Sequence, residues 1–416
     1  MRLGDICSKI GSGATPRGGK EAYSTSGIPI IRSQNVLDWS FSSNGLAYLN
    51  DEQARTLSNV EVHQGDILLN ITGDSVARAC IVPDDVIPAR VNQHVAILRP
   101  KEKANATFIL AWLQTNKDLL LKLASSGATR NALTKRMLEG LDINLPSIDI
   151  QNHIAALISL IQSKINLNIK LNGYLEELCQ TLFDRFEADE NNDLVPIKNI
   201  AYVNPKRTLK KDTRALCVEM ADLSTSGSFP SDWRVKAYHG GMKFKNGDTI
   251  MARITPCLEN GKTCYVNFLE EGQTGFGSTE YIVMAAKGIL PSEFFYFLAR
   301  NLSFISYAIA HMNGSSGRQR VSGTDIEEYE VRMPNSSQLI EFEKIAVPAM
   351  RTIRANSFEN RQLAKLRDAL LPKLMSGEID ASKIDLTQHL EKRKAAASVL
   401  SLIFPIALPG LWSPMQ

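Results

Sequence analysis

The sequence predicts an α+β protein: two globular domains in tandem repeat, separated by two long helices that pair as an antiparallel coiled coil. Three observations predict this. Residue types recur in constant order after about 188 residues, a strict heptad seam recurs at the same offset, and strand-like segments alternate with helical ones in each half.

The repeat is carried by short matches. Gly65-Asp66-Ile67-Leu68 recurs as Gly247-Asp248-Thr249-Ile250, and Ile71-Thr72 as Ile254-Thr255. Val91-Asn92-Gln93-His94-Val95 sits where Ser278-Thr279-Glu280-Tyr281-Ile282 sits later. Ser125-Ser126-Gly127 with Arg130 returns as Ser315-Ser316-Gly317 with Arg318 and Arg320. Ile143-Asn144-Leu145-Pro146 returns as Val331-Arg332-Met333-Pro334.

Within the first half, Ile28–Ile31, Asp66–Ile71 and His94–Leu98 are short apolar runs bounded by Gly, Pro and Asn, the signature of buried strands. Phe108–Leu123 and its partner Phe294–Ile309 have helical apolar spacing and predict one core helix each.

The second half of each repeat is a heptad seam. Apolar positions step by four and three through Ile154, Ile158, Ile161, Ile165, Asn168, Asn172, Leu175, Cys179, Leu182 and Phe186. The matching positions are Phe342, Ala346, Ala349, Ile353, Asn356, Asn360, Leu363, Arg367, Leu370 and Leu374. Asn168, Asn172, Asn356 and Asn360 are the residues expected to set the register of the helix pair, because a slipped alignment leaves their amides unsatisfied. Pro348 stands where the first seam has Leu160, so the second helix is expected to kink there or to start just after it. A helix of about 33 residues spans roughly 50 Å. The order globule, helix, globule, helix therefore predicts a dumbbell whose second helix returns beside the first.

Composition sets broad limits. The chain has 416 residues, 44% of them hydrophobic and 22% charged, which suits a globular protein of two or three domains. A net charge of +3 neither announces nor excludes a polyanionic partner. Six cysteines without a CxxC pair read as reduced thiols, and a cytoplasmic location is expected. The N-terminus lacks the apolar stretch of a signal peptide. The apolar run Val399–Trp412 is too short to span a membrane and is broken by Pro405 and Pro409. Scattered histidines without HxxxH spacing argue against a metal site.

Catalytic patterns are incomplete. Pro256-Cys257-Leu258-Glu259-Asn260-Gly261-Lys262-Thr263 resembles a phosphate-binding loop but begins with proline, so it reads as a turn between strands. Gly275-Phe276-Gly277 is too short to be a dinucleotide loop. Asn204-Pro205-Lys206-Arg207 lacks the stacking aromatic of an amino-methyltransferase, and Pro83-Asp84 lacks the following ligands of a metal nuclease. No catalytic residue is assigned.

What remains are polar side chains of the kinds that read base edges. The first globule offers Thr15, Arg17, Lys20, Arg32, Gln34, Asn35, Asn70, Thr72, Asn92, Gln93, Arg130, Asn131 and Lys135. The second offers Lys206, Arg207, Lys210, Lys211, Arg253, Thr255, Glu280, Arg318, Gln319 and Arg320. Asn70 and Asn92 stand out because they interrupt apolar runs. A polar residue in such a place is either satisfied in the core or presented at a strand end.

Leu366-Arg367-Asp368-Ala369-Leu370-Leu371-Pro372-Lys373-Leu374-Met375-Ser376-Gly377-Glu378-Ile379 closely resembles the end of the second conserved helix in the DNA specificity subunits of type I restriction–modification systems. Asn172–Phe183 resembles the end of their first. Gly13-Ala14-Thr15-Pro16 and Gly27-Ile28-Pro29-Ile30-Ile31-Arg32 resemble the opening of a target-recognition domain, and Leu145-Pro146 with Gln151 its exit. The resemblance covers roughly residues 1–385 and implies target-recognition domains at 1–149 and 191–335, conserved helices at 150–190 and 336–379, and a tail at 380–416 of no assigned role, of which the part beyond about Leu386 has no counterpart in the resemblance.

The same resemblance implies double-stranded DNA as partner, recognised at a bipartite asymmetric site with one half read per domain. It implies two methyltransferase subunits that use S-adenosylmethionine and restriction–translocase subunits that use ATP and Mg²⁺, with no cofactor in this chain and no membrane. The competing reading is a non-catalytic protein–protein scaffold with two repeated binding domains.

Overall fold

The computed structural model describes residues 1–16, 18, 22–125, 131–315 and 317–384. The tail from 385 onward lies outside the described residues, and so do Arg17, Lys20 and Arg130. Two compact units emerge. One comprises Met1–Asn166 with the described residues from Gln362 on, and the other Leu167–Arg361.

In the first unit, strands β1 (Cys7–Ser12), β2 (Ile28–Ile31), β3 (Ala47–Leu49), β4 (Glu61–Val62), β5 (Ile67–Asn70), β6 (Ala79–Ile81), β7 (Ala89–Val91) and β8 (Val95–Pro100) form two sheets. Their orders are β1-β8-β5-β6 and β3-β2-β7-β4. The first sheet is antiparallel; the second contains one parallel pair, β2 with β7.

The second unit adds β9 (Leu194–Pro196), β10 (Ala201–Val203), β11 (Arg214–Val218), β12 (Arg234–Ala237), β13 (Lys243–Phe244), β14 (Thr249–Ala252), β15 (Thr263–Tyr265), β16 (Gly275–Gly277), β17 (Tyr281–Ala286) and β18 (Glu330–Arg332). Its sheets run β10-β17-β14-β15 and β12-β11-β16-β13, and β18 pairs with β9. The two four-stranded sheets repeat the first topology, down to the single parallel pair, β11 with β16; the β18–β9 pair is represented in the first unit only by the isolated bridge between Arg2 and Asp142. The repeat read from weak matches is therefore a repeat of fold.

The Gly-Asp turns show why the best match recurs. Gly65 and Gly247 sit at φ +78° and +87°, a left-handed conformation that glycine adopts without steric cost. The following aspartate is buried. Asp66 accepts the amide of His63 at 2.7 Å and Asp248 that of Lys245 at 2.7 Å. Arg99 forks onto Asp66 at 2.8 Å, whereas Arg207 pairs with Asp248. One turn is thus neutralised by arginines from different places in the two domains.

The core-helix expectation is corrected. Each predicted helix is two: Ala106–Thr115 and Lys117–Ser125 in the first unit, Glu293–Arg300 and Leu302–Ala310 in the second. An asparagine stands at each break. Asn301 is extended, and its side chain accepts the amides of Ser303 and Phe304 to start a new helix. Asn116 returns its side-chain amide to Trp112 O at 2.9 Å.

The long helices run Ile148–Glu187 and Ser336–Ser376. The second passes through Pro348 without interruption, so it does not begin afresh there. It ends at Gly377, whose φ of +79° closes the last turn. Each unit holds part of both helices and shows them antiparallel. In the first unit Ile154 and Ile158 share a core with Leu371 and Leu374. In the second, Phe186 meets Phe342 with ring centroids 5.7 Å apart. Packing therefore divides the molecule across the helices rather than at their ends.

The seam asparagines meet within the second unit. Asn168 Nδ2 donates to Asn360 Oδ1 at 2.9 Å and to Glu359 at 2.7 Å, and Asn356 Nδ2 donates to Asn172 Oδ1 at 2.8 Å. In the first unit the polar seam residue Arg367 is buried, with its guanidinium 4.8 Å above the Trp39 ring and 2.6 Å from Gln162 Oε1. No helix of the described residues is long and apolar enough to cross a membrane.

Candidate functional site

In both domains three segments converge: the residues after β5 or β14, the turn before β8 or β17, and the loop leading to the short helix Lys135–Glu139 or Gly323–Glu327. Backbone hydrogen bonds hold the junction. In the first domain Ile71 N donates to His94 O at 3.0 Å, Leu133 N to Ile71 O at 2.8 Å and Gly73 N to Asn131 O at 3.3 Å. In the second, Arg253 N donates to Glu280 O at 3.0 Å, Val321 N to Arg253 O at 3.0 Å and Thr255 N to Gln319 O at 3.1 Å.

These bonds correct two sequence pairings by one residue. Ile71 corresponds to Arg253 rather than Ile254, and His94 to Glu280 rather than Tyr281. Asn92 and Ser278 then play the same part, since each side chain accepts the amide two residues on, at 3.1 Å in both domains. Side-chain type alone could not show this, because Asn and Ser differ while their capping chemistry is shared.

The side chains carried by the common frame differ. In the first domain Thr72 Oγ1 lies 2.6 Å from His94 Nδ1, and Gln93 Nε2 lies 3.2 Å from His94 Nε2. His94, at the centre of this group, escaped sequence reasoning; the polar run Asn92-Gln93-His94 before β8 was the available signal. In the second domain Glu280 takes the place of His94 and binds Arg320 through a side-on fork at 2.8–3.0 Å. The Arg320 hydrogen bonds hold the Glu280 carboxyl below its usual range, against a smaller opposing effect of burial. Thr255 Oγ1 accepts the amide of Gln319 at 3.2 Å, Arg253 is half-buried beside this group, and Arg318 is exposed.

Other predicted positions lie elsewhere or have internal partners. Thr15, Asn131, Lys206, Lys210 and Lys211 are exposed, and Lys135 is exposed beside Glu139 at 3.5 Å. Arg32 donates to Gly45 O, as does Gln34 at 3.1 Å, and Arg32 also stacks over Tyr23. Asn35 is buried and binds Ser42 O at 2.8 Å. Asn70 is fully buried, donating to Ser33 O and Val36 O at 2.9 and 3.1 Å. Arg207 is tied to Asp248. Among the described residues no group of three or more His, Cys, Asp or Glu side chains could hold a metal ion.

Gln151, the residue at the predicted domain exit, is buried at the start of the first long helix. It binds Pro146 O at 2.9 Å and Lys103 O at 3.2 Å, and accepts the Asn105 amide at 2.9 Å. It thereby seals the helix onto its own domain.

The chain is a duplicated sheet-and-helix domain, with one backbone junction in both copies and different polar side chains on each. Residues 1–177 match the family model described as the type I restriction modification DNA specificity domain. The EcoEI specificity subunit of a type I restriction enzyme from Escherichia coli is 28% identical over 37% of this chain, a match that spans 27% of that protein's length. The MjaIX specificity subunit from Methanocaldococcus jannaschii is 23% identical over 92% of this chain and 94% of its own. The crystal structure of a type I restriction–modification S subunit from M. genitalium has a similar fold, with a TM-score of 0.54 at 14% identity, covering 90% of this chain and 95% of that one. The chain is thus similar to type I restriction–modification specificity subunits, in sequence through residues 1–177 and in fold over most of its length.

Proposed function

We propose that this chain is the sequence-specific DNA-binding subunit of a type I restriction–modification complex. It recognises a bipartite asymmetric duplex site, one half per domain, and directs methyltransferase subunits that use S-adenosylmethionine and restriction subunits that use ATP and Mg²⁺. The chain itself performs no chemistry and works in the cytoplasm. The observation that carries this reading is the pair of junctions. One backbone frame occurs twice, with Thr72, Gln93 and His94 on one copy and Arg253, Glu280 and Arg320 on the other. A protein that reads two different half-sites needs a constant scaffold with different hydrogen-bonding edges.

The four seam asparagines act in this reading as the register lock of the helix pair. The test is a chimera in which residues 193–335 are replaced by the corresponding domain of another family member. With a methyltransferase partner present, one half of the methylated motif should change and the other half persist. A change in both halves, or in neither, contradicts the modular reading. The purified chain with duplex DNA, Mg²⁺, ATP and S-adenosylmethionine should leave the DNA unchanged.

A further inference from the structure

We propose that Arg320, held by Glu280, reads a guanine in the half-site of the second domain. This inference rests on the DNA-recognition function proposed above and assigns one base contact within it.

A guanidinium carries five N–H groups in a planar fork. Those of Arg320 are partly committed. Nε and Nη2 donate to Glu280 at 2.8–3.0 Å, and Nη1 donates to Arg318 O at 3.0 Å. One N–H remains on each terminal nitrogen. Two such donors in one plane match guanine O6 and N7 in the major groove. The side chain is 40% exposed although three of its N–H groups are held within the protein.

The backbone beneath it is fixed. Asn313 and Arg320 exchange two backbone hydrogen bonds of 2.9 Å, and Arg320 also bridges Ile254. Glu280 has its own amide capped by Ser278. Arginine has high rotamer entropy, and holding it before binding removes much of the ordering cost. Glu280 is thus a positioning residue, and Arg320 makes the contact.

The local charge suits a nucleic acid. Arg253, Arg318 and Arg320 gather here against Glu280, with Asp325 within electrostatic reach of Arg253. In the first domain the bridge position of Arg320 is held by Ala132, opposite Thr72. An alanine at that position cannot make the same contact, so the two copies of the frame differ there.

The experiment selects binding sites from a randomised duplex pool with the full chain, as wild type and as R320A, R320K and E280Q, with thermal melting to confirm folding. The wild type should enrich a bipartite motif with a guanine in one half. R320A and R320K should lose preference for that guanine by about tenfold or more, with the rest of the motif unchanged. E280Q should weaken it less. Unchanged guanine preference in folded R320K overturns the base contact and marks Arg320 as a phosphate or structural group, while the half-sites themselves leave DNA recognition standing. Failure of the wild type to enrich any motif overturns the DNA-recognition reading, and this inference with it.

Discussion

Asn168 donates its side-chain amide to the carbonyl oxygen of Asn360 at 2.9 Å, and both residues occupy seam positions of the long helices. Asn168 is buried, so the amide has no water to turn to. Asn168→Leu should destabilise the second unit by about 1–3 kcal/mol, because Asn360 and Glu359 lose a donor. Asn168→Leu with Asn360→Leu should recover part of that loss, giving a coupling of at least about 0.5 kcal/mol in a urea-unfolding cycle. Additive single effects would show that the pair does not act as a unit.

Arg367 should be worth about 2 kcal/mol to the first unit. It combines a cation–π contact with Trp39 and a charge-assisted hydrogen bond to Gln162. Arg367→Met keeps the aliphatic packing and removes both. Denaturant unfolding of this variant, and of Arg367→Met combined with Trp39→Leu, should give less than the sum of the single losses.

The two Gly-Asp turns predict domain-selective damage. Asp66→Ala strands Arg99 beside a buried site and should cost about 3 kcal/mol. Asp66→Asn keeps an acceptor for the His63 amide and should cost less. Hydrogen exchange should rise at β5 and β6 while β14 and β15 stay protected. Asp248→Ala should reverse the pattern. Equal exchange in both domains for either variant would contradict the division into two units.

Glu187 supplies a pH dependence. Burial is the largest influence and pushes its carboxyl up to about 7; the Arg332 amide at 3.1 Å and the Arg332 charge oppose it. The folded protein therefore holds this proton more tightly than the unfolded chain does. That contribution is complete below about pH 4.5 and is lost as pH rises through about 7. Glu187→Gln should flatten the fall in Tm between pH 5 and pH 8 and melt higher than wild type at pH 8. An unchanged pH profile would remove Glu187 as its source.

Periodicity and turn chemistry are local, and they carried most of the architecture. The 4-3 spacing from Ile154 to Phe186 and from Phe342 to Leu374 determined two long helices, since a heptad seam buries one helix face against a partner. Gly65-Asp66 and Gly247-Asp248 determined the repeat, because that turn demands a left-handed residue and a buried acceptor. The break at Asn301 was less legible: asparagine within an apolar helical run caps a new helix only when its side chain turns back onto its own backbone. Pro348 was ambiguous for the opposite reason, since tertiary packing carries a helix across a missing amide.

The candidate site depended on contacts that sequence spacing does not contain. Asn70 resembled a base reader and became a buried clamp on Ser33 and Val36, because its partners lie more than thirty residues away. Arg207 was drawn to Asp248 across a similar distance in sequence. His94 gained its place only when the Ile71 amide fixed the turn before β8, and Glu280 met Arg320 only because two loops share one strand end. Local sequence thus determined the helices, turns and duplicated frame. Tertiary structure decided which polar groups were spent within the protein and which edges stayed open, because hydrogen-bond satisfaction depends on neighbours in space rather than along the chain.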